Sequence, residues 1–186
     1  MDYKTKPTSR KDLRQYSQIL RKLFDVPLTG PFPVLEALEH IGDIFPNCNF
    51  IVLEDSLMPS KTMARCVQND FDGFTIEIRQ SVYDGAYENQ TGAFLGFICH
   101  EICHVFLFNI GFTPIFERSF KDKTIRPYCS VEWQAKALCA EVMIPYEESK
   151  GMSIRKIVDT YHCSNAFAEY RKTKEIEETD RSDYLD

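Results

Sequence analysis

The amino-acid sequence has no cysteine spacing that would build a zinc ribbon or a disulfide scaffold. Its seven cysteines are an odd number, and no two of them form a CxxC pair. The opening segment, MDYKTKPTSRKDLRQ, carries charge but lacks the apolar stretch of a secretory signal. We therefore expect a cytoplasmic protein whose thiols are reduced.

Motifs that bind nucleotides or nucleic acids are missing as well. The chain has neither a GxGxxG sequence nor a P-loop, and its pI near 5.3 argues against a nucleic-acid footprint along its whole length. The pattern of residues 153–171 resembles a helix–turn–helix segment, but Asp159 and Glu169 offset the positive charge of its basic residues. We interpret this segment as a packing module and expect no direct binding of nucleic acid.

Most of the net negative charge lies in the C-terminal segment, and the rest of the chain is nearly neutral. The 22 Lys and Arg against 28 Asp and Glu give a formal charge of −6. Residues 175–186 hold six acidic side chains against Arg181 and account for −5, which leaves −1 for the rest. We predict a single domain over residues 1–172, with a C-terminal helical part at 151–172, and a disordered acidic tail over 173–186.

The spacing of apolar residues predicts an α+β fold that is mainly helical and contains a few short strands. Helices are expected over residues 12–24, 33–41, 91–110 and 131–143, with one or two more between 153 and 171. Strands are expected over residues 50–53, 63–67 and 74–82. Ser130 stands where a helix N-cap would, and Pro145 stops the helix that follows it.

Segment 91–110 is the most apolar part of the chain and raises the question of a membrane span. It is slightly short for that role, and His100, Glu101 and His104 interrupt its middle. We therefore interpret it as a helix in the core of a soluble protein, and we expect no membrane association.

These three ionisable residues belong to an HExxH motif at positions 100–104. Residues at i and i+4 share one face of a helix, so His100 and His104 can bind one Zn²⁺ together. Glu101 is then directed towards water at the ion and can act as a general base. Random shuffling of this composition gives the motif roughly 0.005 times per chain, which favours a metal site over three polar residues satisfied by ordinary hydrogen bonds.

A catalytic zinc site needs a third protein ligand. Glu132 is favoured because it lies in the first turn of the helix after Ser130, where a carboxylate suits the helix dipole. Alanines in the same helix also allow close packing on a neighbouring helix. Spacing alone gives Glu132 only a small lead over the other downstream candidates, which are Glu117, Asp122, Glu141 and His162.

The motif and the sequence around it resemble the ImmA/IrrE family of zinc metallopeptidases, over roughly residues 50–172. Family members typically show HELGH and then E-x-E-A-x-x-F-A-x-x-L-L-M-P. Here HEICH is followed by Glu132, Ala135 and Pro145 at matching positions, and 27 residues separate His104 from Glu132. The IxI strand ahead of the motif and the late segment VDTYHCSNAFAEYR also look like the family.

The resemblance implies a zincin-like metallopeptidase domain with a small antiparallel sheet beside the HExxH helix. His100, His104 and Glu132 would hold one Zn²⁺, and Glu101 would be the catalytic base. The departures from the family are Ile102-Cys103 in place of Leu-Gly, Leu138-Cys139 in place of Phe-Ala, and Gln134 in place of the second Glu. None of them removes a proposed ligand or the base.

The function implied by the resemblance is a zinc-dependent endopeptidase that cleaves a specific protein. ImmA-like members cleave helix–turn–helix repressors of mobile elements, so a repressor of a mobile element or of a stress response is the expected substrate. The alternative is a non-proteolytic regulator that uses a zincin scaffold to bind a protein partner or DNA, although the intact Glu101 argues against it. A metal hydrolase with a non-peptide substrate also stays open.

Some other side chains could contribute to such a site. Cys99 and Cys103 lie about 100° around the helix from the histidines, so we expect them to be buried small apolar residues rather than ligands of the same ion. His162 is a further residue that could approach the site. Zincin chemistry often uses a Tyr or His donor at the oxyanion, and the sequence does not choose among Tyr83, Tyr128 and Tyr146.

Overall fold

The computed structural model describes residues 2–115 and 125–182, with side chains as far as Lys174. The helices are α1 (Arg10–Leu23), α2 (Val34–Glu39), α3 (Ile41–Ile44), α4 (Gln80–Asn89), α5 (Gly92–Asn109), α6 (Val131–Met143), α7 (Tyr146–Ser149), α8 (Ile154–Tyr161) and α9 (Asn165–Ser182). The strands are β1 (Asn49–Leu53), β2 (Ala64–Gln68) and β3 (Phe74–Arg79). The α+β class and the dominance of helix are as predicted.

Helix α5 forms the centre of the core. It packs against α6, α2, α4 and the sheet. Although α5 has the length and hydropathy of a membrane span, half of it is buried inside the fold. Its interior side chains are Leu95, Ile98, Cys99, Ile102, Cys103, His104, Val105, Phe106 and Leu107. It is therefore a core helix of the kind found in soluble proteins.

The small sheet is mixed, so the prediction of an antiparallel sheet was wrong. Its strand order is β1-β3-β2, with β2 antiparallel and β1 parallel to the central strand β3. The turn at 69–73 fixes the antiparallel β2–β3 hairpin. The connection from β1 to β2, residues 54–63, crosses the end of β3 and brings β2 to its far side, which leaves β1 parallel to β3.

Arg79, the last residue of β3, holds this crossing connection in place. Its guanidinium donates hydrogen bonds to the carbonyl oxygens of Thr62 (3.1 Å), Asp55 (3.1 Å) and Pro59 (2.7 Å). Its backbone N–H bonds to the Met63 carbonyl at 3.0 Å. A single side chain thus ties both ends of the connection to the central strand.

Helix α4 was missed by the sequence analysis, which extended the last strand to residue 82. The strand ends at Arg79 and α4 begins at once, with Val82 and Ala86 buried at helical spacing. The carboxylate of Asp55 accepts a hydrogen bond from the Ser81 backbone N–H at 3.0 Å and caps the first turn. This cap comes from a residue 26 positions away, so no local signal announces it.

The helix expected over residues 33–41 is divided into α2 and α3. His40 ends α2 and precedes α3, and its backbone departs from helical geometry. Between residues 153 and 171, where one or two helices were expected, the structure has α8 and the beginning of α9.

The predicted disordered tail needs correction for its first part. Helix α9 continues to Ser182, whereas disorder was expected from residue 173. The segment is rich in Glu, Lys and Arg, which have high intrinsic helix propensity, and it extends a helix that is already nucleated. Residues 183–186 lie outside the described part.

A buried ion cluster joins α1, α6 and α9. The Glu141 carboxylate, whose side chain has no exposed surface, accepts hydrogen bonds from Arg171 (2.8 Å), Arg14 (3.2 Å) and Arg10 (3.4 Å). Tyr146 lies beneath the guanidinium groups of Arg14 and Arg171. Because these partners carry permanent charge, the cluster fixes the three helices to one another.

The N-terminal segment runs along the start of α6. Lys4 pairs with Ser130 in an antiparallel bridge, and the backbone N–H groups of Thr5 and Thr8 bond to the carbonyls of Cys129 (2.9 Å) and Tyr128 (3.0 Å). This segment therefore covers the turn from which α6 begins.

Candidate metal centre

Three ligand-type atoms converge where α5 meets the first turn of α6. The Nε2 atoms of His100 and His104 are 3.1 Å apart. The Oε2 atom of Glu132 lies 3.3 Å from Nε2 of His100 and 3.6 Å from Nε2 of His104. The structure thus brings together the two histidines of the motif and the candidate that the sequence favoured as their partner.

The size of this triangle suits a metal ion. A tetrahedral ion with bonds of about 2.0–2.1 Å to nitrogen and oxygen holds those ligand atoms roughly 3.3–3.4 Å apart. The three observed separations, 3.1, 3.3 and 3.6 Å, bracket that range. The three side chains therefore form a group that could hold a metal ion.

Glu132 is presented by the capped beginning of α6. Ser130, the predicted N-cap, accepts a hydrogen bond from the Trp133 backbone N–H at 3.1 Å. The Ser130 hydroxyl donates to the carboxylate of Asp2 at 2.8 Å, and Asp2 also accepts from the Glu132 backbone N–H at 3.3 Å. Asp2 lies 128 residues before Ser130, so no local pattern predicts this support.

The charges of the group are coupled. Hydrogen bonds from His100 and His104 hold the pKa of Glu132 far below its usual range, against burial, which acts to raise it. Burial acts to lower the pKa of His100, but the hydrogen bond to Glu132 and the charges of Glu101 and Glu132 together raise it. Glu132 and His100 therefore each favour the charged form of the other.

Glu101 borders a polar cavity of about 340 Å³ on one side of the group. The cavity is also lined by His104, Glu132, Phe108 and residues of β2 and its approach, including Ala64 and Cys66. Burial raises the pKa of Glu101, and this outweighs the opposing effect of the two imidazoles. A carboxyl with a raised pKa beside a cavity is suited to accept and return a proton.

His100 borders a second cavity, which is apolar and has a volume of about 500 Å³. Its walls come from the N-terminal half of α5, from Lys136 and Cys139 of α6, and from the beginning of α9. Gly96 forms part of its wall, and a Cβ atom added there would meet nothing within 4 Å. The group of His100, His104 and Glu132 therefore borders a polar cavity and an apolar one.

The other two ligand candidates in the described part of the chain, Glu141 and His162, lie elsewhere. Glu141 is buried in its arginine cluster, and His162 follows α8 in left-handed conformation beside Leu95. Glu117 and Asp122 lie outside the described residues. Glu132 is thus the one downstream candidate, among those described, that lies with the two histidines.

None of the three candidate tyrosines lines the polar cavity. Tyr83 stacks on Phe50, Tyr128 accepts a hydrogen bond from Arg126 at 2.7 Å, and Tyr146 lies in the arginine cluster. The sequence analysis did not single out Tyr3, whose hydroxyl interacts electrostatically with Cys66 and Glu132 and lies 3.3 Å from the Phe112 carbonyl that it donates to.

Cys99 and Cys103 are fully buried, as expected. The sequence analysis did not foresee that α6 brings Cys139 to them, so that the three sulfur atoms lie within 4.8 Å of one another. All seven cysteines are free thiols.

A scan against protein-family models finds no match, and a search of curated proteins finds no matching protein. The resemblance to the ImmA/IrrE family therefore stays a prediction from the motifs.

Proposed function

We propose that this protein is a zinc-dependent endopeptidase with a zincin-like fold. The observation that carries the proposal is the convergence of His100, His104 and Glu132 on one point, with Glu101 beside them at a cavity. Two imidazoles and one carboxylate are the donor set of catalytic zinc sites of the His₂Glu type, which keep a fourth position open.

In this proposal each residue has a defined task. His100, His104 and Glu132 hold the ion, which when bound supplies a Lewis acid that acidifies water and polarises a carbonyl group. Glu101 takes a proton from the attacking water and passes it to the leaving amine. The raised pKa of Glu101 suits both halves of this transfer, because a weakly acidic carboxyl holds a proton long enough to deliver it.

The strand that lines the polar cavity favours a peptide as substrate. In the described part of the chain, β2 pairs with β3 along one edge only, and Ala64, Arg65 and Cys66 of β2 line the cavity. An extended peptide could add to such an edge through main-chain hydrogen bonds, which places its carbonyl groups beside the site. By resemblance, the substrate would be a helix–turn–helix repressor.

The seven free thiols support a cytoplasmic location for this activity, because the reducing cytosol keeps thiols unpaired.

The test compares three single variants of the full chain after reconstitution with zinc. Bound metal is counted by mass spectrometry, and cleavage is measured on a helix–turn–helix repressor encoded beside the gene. Glu101→Gln should keep about one zinc ion per chain and lose about 10²–10⁴-fold in cleavage rate. Glu132→Gln should lose zinc affinity as well, whereas the exposed carboxylate control Glu88→Gln should match the wild type.

Two results would overturn the proposal. A wild-type protein that never retains about one zinc ion per chain has no such site. A zinc-loaded protein that binds the repressor without cutting it, and does so equally well as Glu101→Gln, would be a regulator built on a metal-binding scaffold.

A further inference from the structure

A second group of side chains that could bind a metal lies inside the interface between α5 and α6. The sulfur atoms of Cys99, Cys103 and Cys139 all lie within 4.8 Å of one another, and each residue is at most 2% exposed. The thioether sulfur of Met143 is 3.9 Å from Sγ of Cys139. The four remaining cysteines do not join this group, although all of them lie in the described part of the chain.

We propose that Cys99, Cys103 and Cys139 form a buried site for a soft cation, and that Cu(I) is the ion that it takes. Thiolate and thioether sulfur select Cu(I) over harder ions, and this group offers sulfur alone. Three sulfur atoms around a trigonal ion with bonds of about 2.3 Å would be roughly 4 Å apart, a separation that the 4.8 Å limit allows.

Binding requires that the three thiols lose their protons. In the balanced step, three S–H bonds break, three S–Cu bonds form, and three protons leave to solvent. The product carries a net charge of −2, which is costly in an apolar interior unless a cation lies near. Small alanines could fill the same helix crossing without this chemistry, so packing alone does not require three thiols here.

Arg21 provides a cation close to the cluster. Its side chain is 1% exposed, and its guanidinium donates to backbone carbonyls, including that of Val142 on α6 at 2.5 Å. The acidic groups that interact with it electrostatically are Cys99, Glu148 and Tyr161. A buried guanidinium bonded to neutral carbonyls can therefore offset part of the charge of the thiolates.

The apolar cavity gives the ion a way in. Cys139 lines that cavity together with Gly96 and His100, and its Sγ is 3.7 Å from the Gly96 carbonyl. Where Gly96 lacks a side chain, the cavity wall is open. A cation carried into the cavity would thus reach Cys139 first and then the two thiols of α5.

The site would tie together the same two helices that Glu132 and the histidines join. Cys99 and Cys103 each precede a histidine of the HExxH motif, so an ion held by them and by Cys139 fixes the rotation of α5 against α6. The inference does not rest on the proposed peptidase activity, because it concerns different side chains on a different side of α5.

The test is a titration of the full, reduced, metal-free chain with Cu(I) under anaerobic conditions, in competition with bathocuproine disulfonate. Copper–thiolate absorption in the ultraviolet reports sulfur ligation. Cys139→Ala should weaken Cu(I) binding by more than roughly 100-fold, since even the loss of an outer partner of a ligand costs 10–100-fold. The matched control Cys163→Ala, which removes another buried thiol, should bind as the wild type does.

The variant His100→Ala distinguishes copper bound at the cysteines from copper bound at the histidine site. If the cysteines bind the ion, this variant should keep the copper–thiolate band. Wild-type protein that binds Cu(I) no more tightly than folded Cys139→Ala would overturn the proposal, as would a band lost in His100→Ala. If Cys139→Ala does not fold, X-ray absorption of the copper-loaded wild type decides. A shell of three sulfur atoms supports the proposal, and a shell of nitrogen refutes it.

Discussion

Helix α6 carries two glutamates that the structure treats in opposite ways. Glu141 is fully buried and accepts hydrogen bonds from three arginines. Glu132, in the first turn, has a side chain that is 42% exposed and faces two imidazoles. Both residues were candidates for the same role when only their spacing was known.

The two glutamates differ in whether their partner side chains have a free electron pair that can bind a metal. A guanidinium is charged at every physiological pH and has no free electron pair, so its only use to a carboxylate is as a fixed counter-ion. A neutral imidazole has one nitrogen that can bind a metal. The same residue type is therefore a structural ion partner at one end of α6 and lies beside two potential metal ligands at the other.

The largest effect is expected from Glu141→Ala. It leaves Arg171 buried without its carboxylate partner, and removal of one member of a buried pair costs about 3–5 kcal/mol. Urea denaturation of the metal-free protein measures this loss, with the exposed Glu88→Ala as control. A loss below about 1 kcal/mol would mean that the cluster behaves like a surface ion pair.

The next effect tests the other glutamate. Glu132→Gln should change the free energy of unfolding of the metal-free protein by no more than about 1 kcal/mol, because its ion pairs are partly exposed. Its zinc affinity should fall by more than about 100-fold, as expected for a direct ligand. Calorimetric zinc titration beside urea denaturation separates the two. If zinc affinity were unchanged and the protein strongly destabilised, Glu132 would be a structural ion partner, as Glu141 is, and not a metal ligand.

A smaller effect separates helix capping from ligand presentation. Ser130→Ala should cost about 1 kcal/mol, and so should Ser153→Ala, because each serine caps its helix. Only Ser130→Ala should also weaken zinc binding, since Ser130 begins the helix turn that carries Glu132. Thermal unfolding and zinc titration of both variants provide the measurements, and equal zinc affinity in the two would remove Ser130 from the site.

The smallest effect concerns Glu101, and its sign is what matters. Burial raises the pKa of Glu101 in the folded state. The contribution of the protonated Glu101 side chain to stability is therefore fully present below the unfolded pKa of about 4.3. It is lost as the pH rises through the folded pKa, because the buried carboxyl must then ionise. In the presence of a metal chelator, the Glu101→Gln variant should therefore gain stability relative to the wild type as the pH rises from 4 to neutral. Urea denaturation across this range gives the difference, and the opposite slope would contradict a raised pKa.

Local sequence was sufficient for the parts of the fold that local interactions determine. The apolar periodicity of α5 and the cap at Ser130 predicted both helices of the site nearly to the residue. The HExxH spacing then placed His100 and His104 on one face. Glu132 was favoured partly for its place in the first turn, and the structure brings its carboxylate to 3.3 Å from Nε2 of His100. Its role as a metal ligand stays a prediction.

Features that depend on distant residues were not predictable. Alternation in the last strand continued past Arg79, and the cap that starts α4 comes from Asp55. The parallel pairing of β1 depends on a crossing connection whose path no periodicity encodes. The approach of Cys139 to the two cysteines of α5 likewise depends on how two helices cross.

The hydrogen bonds of Arg79 have a consequence for binding. They secure the connection that leads into β2, and Thr62 of that connection lines the polar cavity. These hydrogen bonds hold this part of the cavity wall in place. An extended chain that added to the edge of β2 would lose its own conformational freedom but would not have to order the protein as well, so more of the contact energy would remain as affinity.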